Sequence, residues 1–467
     1  MTSTSKRSFS KEVGRSALAL ACAATFFCAR EAPLEPEKPL NFVFLLIDDL
    51  GWTDVASYGS TLYETPNVDR LAAEGMKFTD AYAAAPVCSP TRASIMSGKY
   101  PAHVDVTGIV PGQAKGLALE EVTIAERLKQ AGYVSASVGK WHLGREDLYP
   151  EKQGFDVNVG GTHIGMVTDF FYPDWKVSRN LKGARGGVPV EGEPGEYLPD
   201  RLSLEAVKFI EANKGNPFFL YLTHYAVHTP MQAKEELIAK YRAKVKPEEP
   251  QNNPIYAAMI ESMDDSVGRV LDKLDQLNLA DNTVVIFTSD NGGLATWDDE
   301  NTPATSNVPL RLGKGFMYEG GIRVPLIVRW PGVVQPGSVS AEPVISADFF
   351  PTMLEMAGLQ PDPQKPVDGV NLMPALKQAR ALEREAIYWH YPHYDITDSD
   401  PSGAIRAGDY KLIEFFPDGR LELYNLAEDI GETNDLAREM PDKTKELHLK
   451  LLAWRQSVGA KLPEPRD

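Results

Sequence analysis

Cys88-Ser89-Pro90-Thr91-Arg92 places a thiol four residues ahead of a guanidinium, with a helix-starting pair between them. Ser89 can cap a helix and Pro90 suits its first turn, so the spacing predicts a helix running on through Ala93 to Ser97. Cys88 then lies at the positive end of that helix with Arg92 one turn on, an arrangement that attracts an anion. Taken alone, C-x-P-x-R equally describes a buried structural cysteine beside a helix cap. A second group of residues carries oxygen: Asp48-Asp49 and Asp290-Asn291, each directly after an apolar run. Oxygen donors suit calcium, with magnesium as the rival. One such pair reads as a solvated turn or a cap; two at one sheet edge read as a cation site. A third group is cationic or titratable. Lys140 and His142 are two apart, so on an extended segment both face the same way. His228 follows another apolar run, and His224 just before it fits a structural place.

These residues need a scaffold that brings distant stretches to one place. Asn41–Ile47 (NFVFLLI) is a continuous apolar run after its asparagine, the look of a central strand buried on both faces. Further strands are predicted over 133–138, 217–223 and 283–288, and helices over 123–131, 201–213 and 254–277. Strands alternating with helices imply an α/β fold, with a large mainly parallel sheet covered by helices on both faces. In such sheets ligands bind beyond the carboxyl ends of the strands. Asp48-Asp49, Lys140–His142, His228 and Asp290-Asn291 all stand there, after four separate strands. From about Arg384 the pattern changes. Short antiparallel strands are predicted over 386–390, 404–415 and 420–426, with Asp418-Gly419 as a turn and a closing helix over 443–458. The expected division is a leader over 1–30, a catalytic α/β domain over 40–380, and a small C-terminal domain over 381–467 with an antiparallel sheet and a helix.

The chain has 467 residues, 48 Lys plus Arg against 65 Asp plus Glu, and a net charge of -17. So acidic a protein is a poor partner for nucleic acid, whose binding needs a basic surface. Any anion site must be built locally, from a few clustered cations or a metal. Lys6, Arg7, Lys11 and Arg15 precede an apolar stretch, Ser16–Cys28, too short to span a bilayer but suited to a secretory signal. The expected location is therefore periplasmic or secreted, with a lipid anchor at Cys22 or Cys28 as the one membrane attachment left open. Of three cysteines, two lie in this leader, which leaves Cys88 as a lone thiol in the exported chain.

The segment CSPTR resembles the signature of type I sulfatases, members of the alkaline phosphatase superfamily whose cysteine is oxidised after translation to formylglycine. Asn41–Gly59 resembles that family's opening strand and first metal ligands, and GKWHLG (139–144) its second signature. TSDNG (288–292) resembles its late metal pair and GKGFMYEGGIRVP (313–325) its last active-site segment. The five segments stand in the family's order. The resemblance implies that Asp48, Asp49, Asp290 and Asn291, with an oxygen on residue 88, hold one Ca²⁺. It implies that Lys140 and Lys314 bind the sulfate, Arg92 steadies formylglycine, His142 acts on it as a base, and His228 protonates the leaving alcohol. One hydroxyl of the hydrated aldehyde attacks sulfur, and the second then expels sulfate and restores the aldehyde. A formylglycine-generating enzyme or an anaerobic maturase is the implied partner in biosynthesis.

The implied substrate is a sulfated saccharide. TSNVPLRLGKG (305–315) and YWHYPHY (388–394) look more like bacterial polysaccharide sulfatases than simple arylsulfatases, with a lean to galactose or N-acetylgalactosamine 4-sulfate. Aromatic residues with histidines suit a sugar-binding rim or the core of a small sheet, which makes His390 and His393 candidates for substrate contact. Asp174 and His163, in a glycine-rich insert, are further candidates. Two alternatives remain at this point. One is a phosphonate or phosphodiester hydrolase of the same superfamily, and the other a non-catalytic binder of sulfated glycans.

Overall fold

The computed structural model describes residues 38–176, 187–296, 303–394 and 397–463, and the folded body begins at Pro39. The segment expected as a leader, with Cys22 and Cys28, lies outside the described residues. The main-sheet strands are β1 (Asn41–Ile47), β2 (Met76–Phe78), β3 (Val134–Gly139), β4 (Val157–Val159), β5 (Phe218–Thr223), β6 (Thr283–Ser289), β7 (Leu326–Arg329) and β8 (Ser338–Ser340). They form one eight-stranded sheet in the order β4-β3-β5-β1-β6-β7-β2-β8. The five strands from β4 to β6 are parallel, and β7 runs antiparallel to both its neighbours.

Period-two alternation in β1 shows why its sequence is apolar throughout. Val43, Leu45 and Ile47 enter one core with α1 (Pro66–Glu74), α4 (Leu198–Ala212) and α6 (Pro254–Gln276). Phe42, Phe44 and Leu46 enter another with α2 (Cys88–Ser97), α3 (Ile124–Gln130) and α7 (Phe349–Met356). The α5 helix (Glu235–Arg242) packs with the first group. Local signals place the helix starts. Thr123 and Glu126 form a reciprocal capping box on α3, and the Asn253 side chain accepts from the first amides of α6.

The small sheet has strands β9 (Ile387–Tyr391), β10 (Ser402–Ala407), β11 (Tyr410–Phe415) and β12 (Leu421–Asn425), joined antiparallel in that order. The stretch expected as one strand over 404–415 is two. Gly408, at φ +60°, opens the Gly408-Asp409 turn between β10 and β11. One face of this sheet (Trp389, Tyr391, Ala404, Ile413, Tyr424) packs on the body, and the other (Ile405, Leu412, Leu423) is covered by α8 (Pro441–Ser457).

A buried charge cluster also joins the small sheet to the body. The Lys411 ammonium donates to Glu319 Oε1 and Glu432 Oε1, each at 2.9 Å, and all three residues are fully buried. Glu432 accepts from the Glu319 amide at 2.6 Å, and Glu319 accepts from Tyr82 and Arg323. Lys411→Met leaves Glu432 buried beside Glu319 without its cation, while Glu319 keeps its pair with Arg323, so it should destabilise the protein by about 3–5 kcal/mol. Adding Glu432→Gln should return part of the loss. A denaturation midpoint that Lys411→Met leaves unchanged would refute this account of the docking.

Candidate functional site

Four neighbouring parallel strands, β3, β5, β1 and β6, end side by side, and each delivers its residues to the same edge. Beyond β1 come Asp48 and Asp49, beyond β3 Lys140 and His142, beyond β5 His228, and beyond β6 Asp290 and Asn291. Glycine makes the join between two of these ends possible. A β-carbon on Gly139 would stand 1.9 Å from the Thr223 carbonyl oxygen, and that oxygen accepts from the Lys140 amide at 2.8 Å. Asp49 (φ +59°) and His142 (φ +61°) both adopt the left-handed region, which costs a non-glycine residue about 1–2 kcal/mol. Such strain gathers where surrounding structure over-determines the backbone.

Helix α2 starts two residues earlier than a Ser89 cap would have it. Val87 is the N-cap, Cys88 is the first helical residue, and the Ser89 hydroxyl accepts instead from the Val110 amide at 3.1 Å. Cys88 is buried, and its sulfur lies 3.3 Å from His142 Nδ1. Burial pushes the thiol up, so it stays protonated and a weak nucleophile.

Charges surround this cysteine in pairs. Arg92 donates through Nε to Asp290 Oδ2 at 2.8 Å and through Nη1 to the Lys140 carbonyl at 2.8 Å. The Lys140 ammonium donates to Asp48 Oδ2 at 2.6 Å, and the Lys314 ammonium to Asp49 Oδ2 at 2.7 Å. Lys314 stands 2.9 Å from His228 Nε2. His228 Nδ1 lies 2.8 Å from the Thr229 carbonyl, which can only accept, so Nδ1 carries the proton and Nε2 accepts from Lys314. Burial and the Lys314 charge push His228 down to about 3. Burial, with Lys140 and Arg92 beside it, also holds His142 neutral. Burial pushes the Asp48 carboxyl well up, with Asp290 and Asp49 adding to it against the Lys140 charge.

The donor set fits a hard cation. One oxygen each of Asp48 and Asp290 and the Cys88 sulfur lie within 4.8 Å of one another, all buried. Asp48 Oδ1 and Asn291 Oδ1 are buried without a hydrogen-bond partner, which is costly for oxygens unless something positive faces them. Asp49 joins the cluster through its other oxygen, which accepts from Asn291 Nδ2 at 2.8 Å. Three carboxylates thus face three cations, and a divalent ion makes the cluster net positive.

The remaining candidates have partners of their own, and His163 follows Thr162, whose carbonyl accepts from the His142 amide at 2.9 Å. His390 is buried in the small sheet, bonded through Nε2 to the Lys461 carbonyl at 2.8 Å, and pushed down to about 4 by burial. His393 Nε2 meets Thr107 Oγ1 at 3.0 Å on a surface groove. His163 is buried, with the Tyr149 hydroxyl 2.9 Å from its Nδ1. Asp174 is exposed on a short turn beside the buried Trp175. His224 pairs with Ser266 at 2.8 Å inside the core. Sequence reasoning passed over Tyr256, whose hydroxyl donates to Asp54 at 2.6 Å and lies 3.2 Å from the Asp49 carbonyl, bracing the turn that carries the first acids. It also passed over the loop around Val110, whose amide donates to Ser89 Oγ beside Cys88. An aromatic in a long amphipathic helix and an apolar loop residue carry no signal of that kind.

Known proteins resemble this chain over most of its length. The family described as Sulfatase matches residues 40–359, and the C-terminal region of N-sulphoglucosamine sulphohydrolase matches 312–457. A sulfatase of Formosa agariphila is 34% identical over 500 residues, covering 90% of this chain and 89% of its own. The N-acetylgalactosamine-6-sulfatase of Homo sapiens is 37% identical over 369 residues, covering 75% of this chain and 68% of its own. Among solved structures, Ps i-CgsB superposes with a TM-score of 0.78 at 31% identity, covering 89% of this chain and 93% of that one, and has also been solved with k-i-k-neocarrahexaose. A match over most of the body, in a chain with this strand-end cluster, makes the protein a member of the sulfatase family and a sulfuric ester hydrolase.

Proposed function

We propose that this sulfatase removes a sulfate ester from a sulfated saccharide, using residue 88 as formylglycine and a calcium ion held by Asp48, Asp49, Asp290 and Asn291. One observation carries the reading: a buried cysteine at the first turn of α2, lying among hard oxygen donors, two of them without partners. A neutral thiol is a poor ligand for calcium and a weak nucleophile, whereas an oxygen at that position suits both tasks. Three carboxylates, an amide and a residue-88 oxygen make a nearly all-protein cage. That favours calcium over magnesium, which usually keeps several waters. When bound, the ion acts as a Lewis acid on the sulfuryl oxygens, and hydrated formylglycine supplies the nucleophilic hydroxyl.

The chain's own residues do the rest. Lys140 and Lys314 bind the sulfate oxygens and orient the ester, in a pocket whose burial strengthens their charge. Arg92 holds Asp290 and the Lys140 backbone in register. Neutral His142, 3.3 Å from residue 88, is placed to take a proton there. His228, on the other side of the acids, is placed to hand a proton to the departing alcohol. The saccharide assignment draws on N-acetylgalactosamine-6-sulfatase, on Ps i-CgsB solved with k-i-k-neocarrahexaose, and on a relative solved with its substrate D-glucosamine-2-N,6-O-disulfate (TM-score 0.74, 25% identity, covering 90% of this chain and 98% of that one).

Peptide mass spectrometry of an active preparation should find residue 88 oxidised, and unmodified thiol alone would refute the mechanism. Chelation should remove activity and added calcium restore it; full activity in metal-free protein refutes the metal assignment. A panel of galactose and N-acetylgalactosamine sulfates, with both 4- and 6-esters, identifies the preferred position.

A further inference from the structure

A second binding feature lies on the other side of the loop that walls the reactive centre. Residues 102–118, the segment 392–394 after β9, and residues 461–463 enclose a groove of about 700 Å³. That is within the usual range for a small-molecule site, roughly 300–1,000 Å³. Its lining is mixed: Lys115 and Tyr394 border it, while Thr107 is bonded to His393 Nε2 at 3.0 Å and Gln113 bridges the Ile109 amide and the Tyr394 carbonyl. Lys115 is exposed and makes no ion pair among the described residues. At the rim Lys461 pairs with Asp105 at 2.7 Å, but both side chains are more than two-thirds exposed. Such a pair contributes about 0–1 kcal/mol, so Lys461 is released to another anion at little cost. Two available cations against one acid form a local positive field, in a chain whose net charge is -17.

The groove and the reactive centre share one piece of backbone. Val110, whose amide donates to Ser89 beside Cys88, is three residues from Thr107, at most about 11 Å of extended chain. At the other end of the loop, Leu117 donates to the carbonyl of Leu143, next to His142, at 2.9 Å. The loop is drawn tightly over both features. A β-carbon on Gly108 would stand 2.7 Å from His393 Nε2, and one on Gly116 would stand 2.5 Å from the Leu143 carbonyl oxygen.

We infer that this groove is a subsite for a further sulfated sugar unit of the same chain, with Lys115 taking its sulfate and Tyr394 the ring. The inference rests on the saccharide reading of the reactive centre and deepens it: the substrate is an oligomer, engaged at two sulfated units. An unsulfated ring would leave Lys115 without an anion.

Calorimetric binding to the Cys88→Ala protein tests this without turnover. The probes are N-acetylgalactosamine 4-sulfate, a chondroitin 4-sulfate tetrasaccharide, its desulfated form, and inorganic sulfate. The sulfated tetrasaccharide should bind at least about tenfold more tightly than the monosaccharide, the value of one charge-assisted contact. Lys115→Ala in the same background should remove that gain and leave monosaccharide affinity as it was. A tetrasaccharide affinity unaffected by Lys115→Ala, an equal loss on both sizes, an equal gain from the desulfated chain, competition by inorganic sulfate for a Lys115-dependent site with no glycan gain, or no binding of either saccharide overturns the subsite. Turnover by the unaltered protein is read separately. Binding with no hydrolysis of any sulfate ester sinks the enzymatic reading and leaves the groove standing, whereas hydrolysis without the Lys115-dependent gain overturns the groove alone.

Discussion

Cys88→Ala should lose about 10⁴-fold or more in kcat on every sulfate ester, the order seen when a nucleophile is deleted from an otherwise intact site. The size of the effect follows from what residue 88 touches. It stands at the positive end of α2, 3.3 Å from His142 and within reach of the Asp48 and Asp290 oxygens. Neighbouring hydroxyls do not replace it, because Ser89 and Thr91 are both engaged with backbone. Alanine is a good helix former, and the change removes only one buried sulfur atom from the first turn. The fold should therefore survive, as the denaturation midpoint would show. Lys140, Lys314 and Arg92 keep their partners, so binding of a sulfated saccharide should persist while turnover disappears. Residual hydrolysis within about tenfold of the unaltered protein would mean that residue 88 is not the nucleophile.

His228→Ala should lose about 10²–10⁴-fold on a sugar sulfate and far less on nitrophenyl sulfate. A sugar alkoxide is a poor leaving group that needs a proton as it departs, whereas nitrophenolate leaves without one. The geometry supports this division. His228 Nδ1 is tied to the Thr229 carbonyl, and Nε2 faces Lys314 at 2.9 Å and Asp49 Oδ2 at 3.6 Å. In the free protein the ring is neutral, pushed down to about 3 by burial and the Lys314 charge. A sulfate engaged by Lys314 offsets that charge and favours the imidazolium, which arms the ring as substrate binds. His142→Ala should behave differently, losing rate equally on both substrates, because its partner is residue 88 and not the leaving group. Equal losses on both substrates for His228→Ala would assign the leaving-group proton elsewhere.

Much of this site was legible in the chain alone, for a reason of geometry. Where strands are parallel and buried on both faces, their carboxyl ends are the one edge at which polar residues can collect. NFVFLLI before Asp48 and TVVIFT before Asp290 therefore mark those acids as edge residues without any knowledge of their neighbours. The neighbours belong to tertiary structure. Asp48, Lys140, His228 and Asp290 meet because β3, β5, β1 and β6 lie next to one another, a strand order that no local pattern encodes. Local rules failed where a longer-range contact outweighed them. Ser89 has the right chemistry for a cap, but the Val110 amide takes its hydroxyl and the helix begins at Cys88. The apolar run after Ala404 looks continuous, yet Gly408 turns it into two strands so that each presents one face to the body and one to α8. YWHYPHY contains two histidines of equal promise in sequence. The pleat buries His390 against the chain's end, and the turn after β9 brings His393 out to the groove. Residue type and spacing determined which chemistry this protein can do. Which charges face each other, and which histidines are left to act, was decided by packing, because burial and pairing are properties of the assembled sheet edge.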